Sequence, residues 1–168
     1  MKGLTPNSSS TLGAADFPLV PGEGAARLAL LRHWCRAPGP GLALRSDADA
    51  GTSGATAHLD LFLGPESPID GDARVARSWR LPLSAWDRGW ISGVYQAIET
   101  PPHRAIYLGL TERVELSNAR GVVEPIVATG CRARVDGTRV VIEAAHLTIR
   151  AELLSAETWR LEITDTTP

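Results

Sequence analysis

Along most of the chain, apolar and polar residues alternate with period two, the signature of strands buried on one face rather than of helices, whose period is 3.6. The segment 58–63 shows it most clearly: Leu59, Leu61 and Leu63 define one face, and His58, Asp60 and Phe62 the other. Similar runs over 27–34, 73–83, 103–110, 121–129, 132–135, 138–143, 147–153 and 158–163 predict about nine short strands, the pattern of a barrel or sandwich. The clearest turn is Asp136-Gly137, because Asp-Gly supplies the positive φ angles of a two-residue hairpin between 131–135 and 138–142. A helical turn at 154–157 and a short helix within 82–98 fit the pattern without changing the class. The expectation from the pattern is an all-β fold, a barrel or a sandwich.

Two stretches depart from this alternation. Residues 1–25 are rich in Ser, Thr, Gly and Pro and predict a flexible N-terminal segment, anchored at most by Phe17-Pro18-Leu19-Val20. Residues 37–56 join Pro38-Gly39-Pro40-Gly41 to a run of Asp, Ala, Gly and Ser, which reads as one long inserted surface loop. The rest, 26–168, is expected to fold as one domain, since 168 residues suit a single core.

Composition narrows the partners. With a formal charge of -2 and a pI near 6.1, the overall field draws in neither nucleic acid nor an anionic membrane, so any nucleic-acid contact needs a local basic patch. No apolar run approaches the roughly 20 residues of a membrane helix, and none near the N-terminus suits a signal-peptide core. No membrane partner and a cytoplasmic location are therefore expected. The two cysteines, Cys35 and Cys131, form no CxxC pair and read as unbridged thiols.

Candidate chemistry gathers on few residues. His58 and Asp60 lie two apart and share one face of a strand, so their side chains can converge on one ion; imidazole and carboxylate suit Mn, Zn or Fe(II). His103 and Tyr107, four apart, would share a strand face and present an imidazole and a phenol to a phosphate oxygen. His33 ends the first apolar run, just before the inserted loop. The bland alternatives are a histidine beside a solvated aspartate and a tyrosine with a buried ring and a wet hydroxyl. Trp79 and Trp159 lie inside apolar strand patterns and are assigned to the core, and His146 to the surface.

In order along the chain come Leu30-Leu31-Arg32-His33, His58-Leu59-Asp60-Leu61-Phe62-Leu63-Gly64, Ser78-Trp79-Arg80-Leu81-Pro82, His103-Arg104-Ala105-Ile106-Tyr107, Arg120-Gly121-Val122-Val123 and Trp159-Arg160-Leu161. This succession resembles the 3′-phosphoesterase domain of bacterial DNA ligase D, and especially its short stand-alone relatives. The resemblance implies a small closed or nearly closed β-barrel with a divalent metal, usually Mn, held by His33, His58 and Asp60, with Zn or another transition metal as substitutes. It further implies that His103 contacts the scissile phosphate and that Tyr107 supports it. The implied activity is trimming of DNA 3′ ends, removing a terminal phosphate or ribonucleotide, beside a separate DNA ligase or polymerase. Three positions depart from the family pattern. Phe62 replaces an arginine that clamps the phosphate, Leu83 replaces a lysine after the tryptophan motif, and Gly64 replaces a glutamate closing the aspartate strand. With these losses, the alternative is a non-catalytic barrel module that binds nucleic acid or a repair partner. A third reading, incidental histidines on a structural β domain, requires His33 and His58 to lie far apart.

Overall fold

The structure is a computed structural model that describes residues 22–35, 56–66, 71–117 and 120–166. Nine strands run through them: β1 (Gly22–Cys35), β2 (Thr56–Pro65), β3 (Arg74–Leu81), β4 (Gly93–Arg104), β5 (Val114–Leu116), β6 (Gly121–Asp136), β7 (Arg139–Ala144), β8 (Leu147–Ser155) and β9 (Thr158–Asp165). All pair antiparallel in the order β1-β2-β3-β4-β9-β8-β7-β6, and β1 pairs with β6 to close an eight-stranded barrel, with β5 added on β6. No helix among the described residues is long and apolar enough to cross a membrane.

Period-two alternation decides the inside of the barrel. Leu28, Leu30, Leu59, Leu61, Leu63, Trp79, Leu81, Val140, Ile142, Ile149, Trp159, Leu161 and Ile163 are all essentially buried in one cluster. Trp79 and Trp159 meet edge to face at 5.8 Å, an arrangement their ring quadrupoles favour. The guanidinium of Arg77 lies 4.5 Å from the Trp159 ring centre and forms a two-pronged bond to Glu99, so this charge is paired where it is removed from water.

The alternation predicts about nine strands and nine are present among the described residues, but they are not the same nine: β5 lies in no expected run, and several boundaries differ. The predicted strands 121–129 and 132–135 are one continuous strand, β6, whose shift in register against β1 skips Ile126. The short helix expected within 82–98 is instead a 3-10 turn, Leu83–Ala85, followed by a corner stapled by Trp86 against Trp90 at 5.5 Å and then by β4. Leu83 packs on the barrel core from that turn. The strand expected at 103–110 ends at Arg104, and Ala105–Gly109 form a 3-10 turn. The residues expected to turn helically at 154–157 close the β8–β9 hairpin. The β6–β7 hairpin is present one residue later than expected: Asp136 pairs with Arg139, leaving Gly137-Thr138 as the loop. Gly137 alone takes positive φ, +52°, the type II′ pattern. Strand β1 begins at Gly22, inside the segment assigned to the flexible lead-in. Residues 1–21 and almost all of the inserted loop lie outside the described residues.

Gly121 has a specific task at the start of β6. Its φ is +101°, and a Cβ there would run into the carbonyl oxygen of Trp34 on β1. Gly121→Ala is therefore expected to cost about 3 kcal/mol or more, the range of strained and clashing core changes. Gly137→Ala, with open space around it, is expected to cost only the roughly 1–2 kcal/mol of a positive φ. Chemical denaturation of the two variants checks the order.

Candidate metal and phosphate site

The inward face of β2 carries its leucines, so His58, Asp60 and Phe62 face outward, away from the barrel core. They are nevertheless buried, because a second apolar cluster forms on the outside of the barrel from Ala29, Leu31, Phe62, Ala76, Leu108 and Val123, with Tyr107 and Leu116 packed against it. The 3-10 turn Ala105–Gly109 supplies part of this roof. Gly64 makes room for it: a Cβ at Gly64 would overlap the Leu108 side chain. The small residue at Gly64 therefore has a packing reason.

Register brings the histidines together. His33 is the direct β1 partner of His58 on β2, and their rings meet at 4.8 Å. The separation expected if the histidines were incidental is therefore not found. Asp60 is next along the same face: its Oδ2 lies 3.6 Å from His33 Nδ1 and 3.3 Å from His58 Nε2. These separations are long for hydrogen bonds but suit donor atoms that share one ion. His33 Nε2 lies 2.8 Å from the carbonyl oxygen of Arg120, to which it donates. That bond leaves Nδ1 toward Asp60 and orients the ring as backbone carbonyls orient metal-binding histidines. His58 Nε2 is buried without a hydrogen-bond partner, a costly state for a polar atom unless something else satisfies it.

Arg80 is opposite Asp60 across the β2–β3 ladder, its Nε 3.7 Å from Oδ1. Among the nearby arginines, Arg104 is engaged by Asp72 at 3.1 Å and Arg32 faces Glu124 at 3.7 Å, whereas Arg80 turns its charge toward Asp60. His103 reaches the same face through a bulge. Ser78 pairs with Thr100 but Ala76 pairs with His103, so β4 carries one extra residue around Pro101-Pro102. An odd insertion reverses the alternation that follows it, which places His103 beside Phe62, with ring centres 5.2 Å apart. His103 Nδ1 lies 2.9 Å from Ser78 Oγ, which in turn bonds Thr100. Tyr107 joins His103, ring to ring at 5.9 Å, by the 3-10 turn rather than by strand alternation, and stacks on Phe62 at 5.6 Å.

The charges follow from this packing. Burial works to raise the Asp60 pKa, but His33 and His58 beside it, reinforced by Arg80, outweigh burial and hold the carboxyl well below its ordinary 3.8. Contact with Asp60 raises His33 above 6.5 against the opposing effect of burial, with the Arg120 carbonyl adding to the rise. Burial lowers His103 below its ordinary 6.5, against the pull of the Asp60 charge, which favours its neutral imidazole.

Sequence reasoning missed Ser78, Thr100 and Cys35. Cys35 carried a legible signal, since it lies two residues after His33 on the same strand. Ligand atoms of His33, Cys35 and His58 all lie within 4.8 Å of one another. Comparison with family models, curated proteins and solved structures found no match.

Asp60, with its pKa lowered on folding, contributes stability that is complete above the unfolded carboxyl value of 3.8 and is lost as pH falls toward its folded value. The metal-free protein is expected to lose stability steeply below about pH 4. Asp60→Asn is expected to flatten that slope, as read by denaturation midpoints from pH 7 to pH 2.

Proposed function

We propose that this chain is a divalent-metal-dependent phosphoesterase acting on DNA 3′ ends, with His33, His58 and Asp60 as the metal ligands and His103 and Tyr107 serving the phosphate. The observation that carries the reading is the convergence of these ligands across β1 and β2, with His58 Nε2 buried and unpartnered. Two imidazoles and a carboxylate fit Mn, the ion the resemblance implies, and equally Zn. A divalent ion bound there supplies Lewis acidity toward a phosphoryl oxygen and lowers the pKa of its water.

The protein's own residues do the rest. The positive charge of Arg80 beside Asp60 attracts a phosphate and takes over part of the role of the missing clamp. Ser78 holds one ring nitrogen of His103 and leaves the other for a phosphate oxygen. Tyr107 backs His103, and Phe62 gives the pocket an apolar wall where the family has a cation. A terminal 3′-phosphate or ribonucleotide is the substrate that matches this combination, and a separate ligase or polymerase would take the resulting 3′-hydroxyl end.

One observation favours a second reading. Phe62 is 2% exposed, with Tyr107 stacked on it, so the clamp position is closed over rather than merely lacking its charge. That suits a module that binds DNA ends or a repair partner without hydrolysing them.

A 3′-phosphorylated DNA primer incubated with the protein and Mn or Zn is expected to lose its phosphate, and His58→Ala to abolish both metal binding and turnover. His103→Ala is expected to keep metal binding while lowering turnover about a hundredfold or more. Stoichiometric metal binding with no phosphate release would select the second reading, and no metal binding would refute both. Because His33 must lose its proton to bind and its pKa is raised, calorimetric metal affinity is expected to climb as pH rises through and above 6.5.

A further inference from the structure

The histidine pair has two flanks. On β1 the outward face runs Leu31, His33, Cys35, and the facing register on β2 runs Asp60, His58, Thr56. The row His33/His58 therefore lies between Asp60 on one side and Cys35 on the other. We infer that Cys35 is a further metal ligand of this site, which makes its resident ion zinc or a similarly thiophilic metal rather than manganese; the inference rests on the metal-site reading above.

Three features carry it. The donor atoms of His33, Cys35 and His58 lie within 4.8 Å of one another. Donors around a tetrahedral zinc stand about 3.3–3.8 Å apart, so small side-chain rotations close the gap. His58, one of the three, is buried, and its Nε2 makes no hydrogen bond, only the 3.3 Å approach to Asp60 Oδ2. Sulfur, finally, changes the selectivity: thiolate favours zinc, cobalt and softer metals, whereas manganese prefers oxygen donors and stands lowest in the divalent affinity series. Binding forms one metal–sulfur bond and releases the thiol proton to solvent.

Cobalt(II) reads this directly, because a cysteine thiolate bound to cobalt gives an intense near-ultraviolet charge-transfer band that imidazole and carboxylate do not. The chain has two cysteines, so the source can be assigned. Cys131 is on β6, opposite Ala26, and packs against the barrel core. The full-length protein titrated with cobalt is expected to show the band, as are Cys131→Ser and Asp60→Asn, whereas Cys35→Ser is expected to lose it. Zinc-over-manganese preference in competition titrations is expected to fall at least about tenfold in Cys35→Ser, the scale of one lost favourable ligand. If Cys35→Ser does not fold, wild-type alkylation serves instead: zinc is expected to slow iodoacetamide modification of Cys35, read by peptide mass, and manganese to leave it unchanged. Stoichiometric cobalt binding without the band, a band that persists in Cys35→Ser, or no zinc protection overturns Cys35 ligation and leaves the His33, His58 and Asp60 site standing. Absence of any cobalt binding overturns both.

Discussion

Strand β1 is hydrogen-bonded on both edges, to β2 over its C-terminal part and to β6 along nearly its whole length. That double pairing closes the barrel and removes the open edges of the sheet between β1 and β6. It also determines the site. Pairing with β2 sets His33 opposite His58, while pairing with β6 brings the Arg120 carbonyl onto the other nitrogen of His33. The Gly121 backbone lies so close to Trp34 that no side chain fits between them. One constraint thus positions a candidate ligand and orients its ring.

The site lies on the outer surface of the barrel, where polar groups would ordinarily be wet. Its dryness comes from the roof of Tyr107 and Leu108 over Phe62 and Gly64. The same roof accounts for Phe62 and Gly64 together, since a charged side chain in place of Phe62 or any side chain at Gly64 would contend with the packing above it. Burial then raises the electrostatic stakes: Asp60, with a side chain 12% exposed, stays ionised because two imidazoles and Arg80 surround it. A divalent ion between the same groups would satisfy the carboxylate and the unpartnered His58 nitrogen at once.

His103 illustrates how irregularity contributes. An unbroken β4 would send alternate side chains in and out from Ile98 onward and would turn His103 toward the core. The extra residue at Pro101-Pro102 reverses that alternation, and the loss of an N–H at each proline makes a break in the ladder inexpensive there. Ser78 and Thr100, joined to each other, then fix the imidazole from the neighbouring strands.

Alternation of apolar residues was enough to specify an all-β fold, the inward leucines of β2, the two core tryptophans, and the shared face of His58 and Asp60, because each depends only on the two-residue repeat of a strand. Closure into a barrel was not among them, since it rests on the pairing of β1 with β6. The β6–β7 hairpin was legible from Asp136-Gly137 to within one residue, for the same local reason. What tertiary structure alone decided is which faces meet. Alternation gives no register between strands, so it could not show that His33 opposes His58 across a long insertion, that Arg80 rather than Arg32 or Arg104 faces Asp60, or that Cys35 flanks the pair. Nor could it foresee that β4 continues to Arg104 and gives way to a 3-10 turn: the bulge, the turn and the roof over Phe62 are stabilised by contacts between segments distant in sequence.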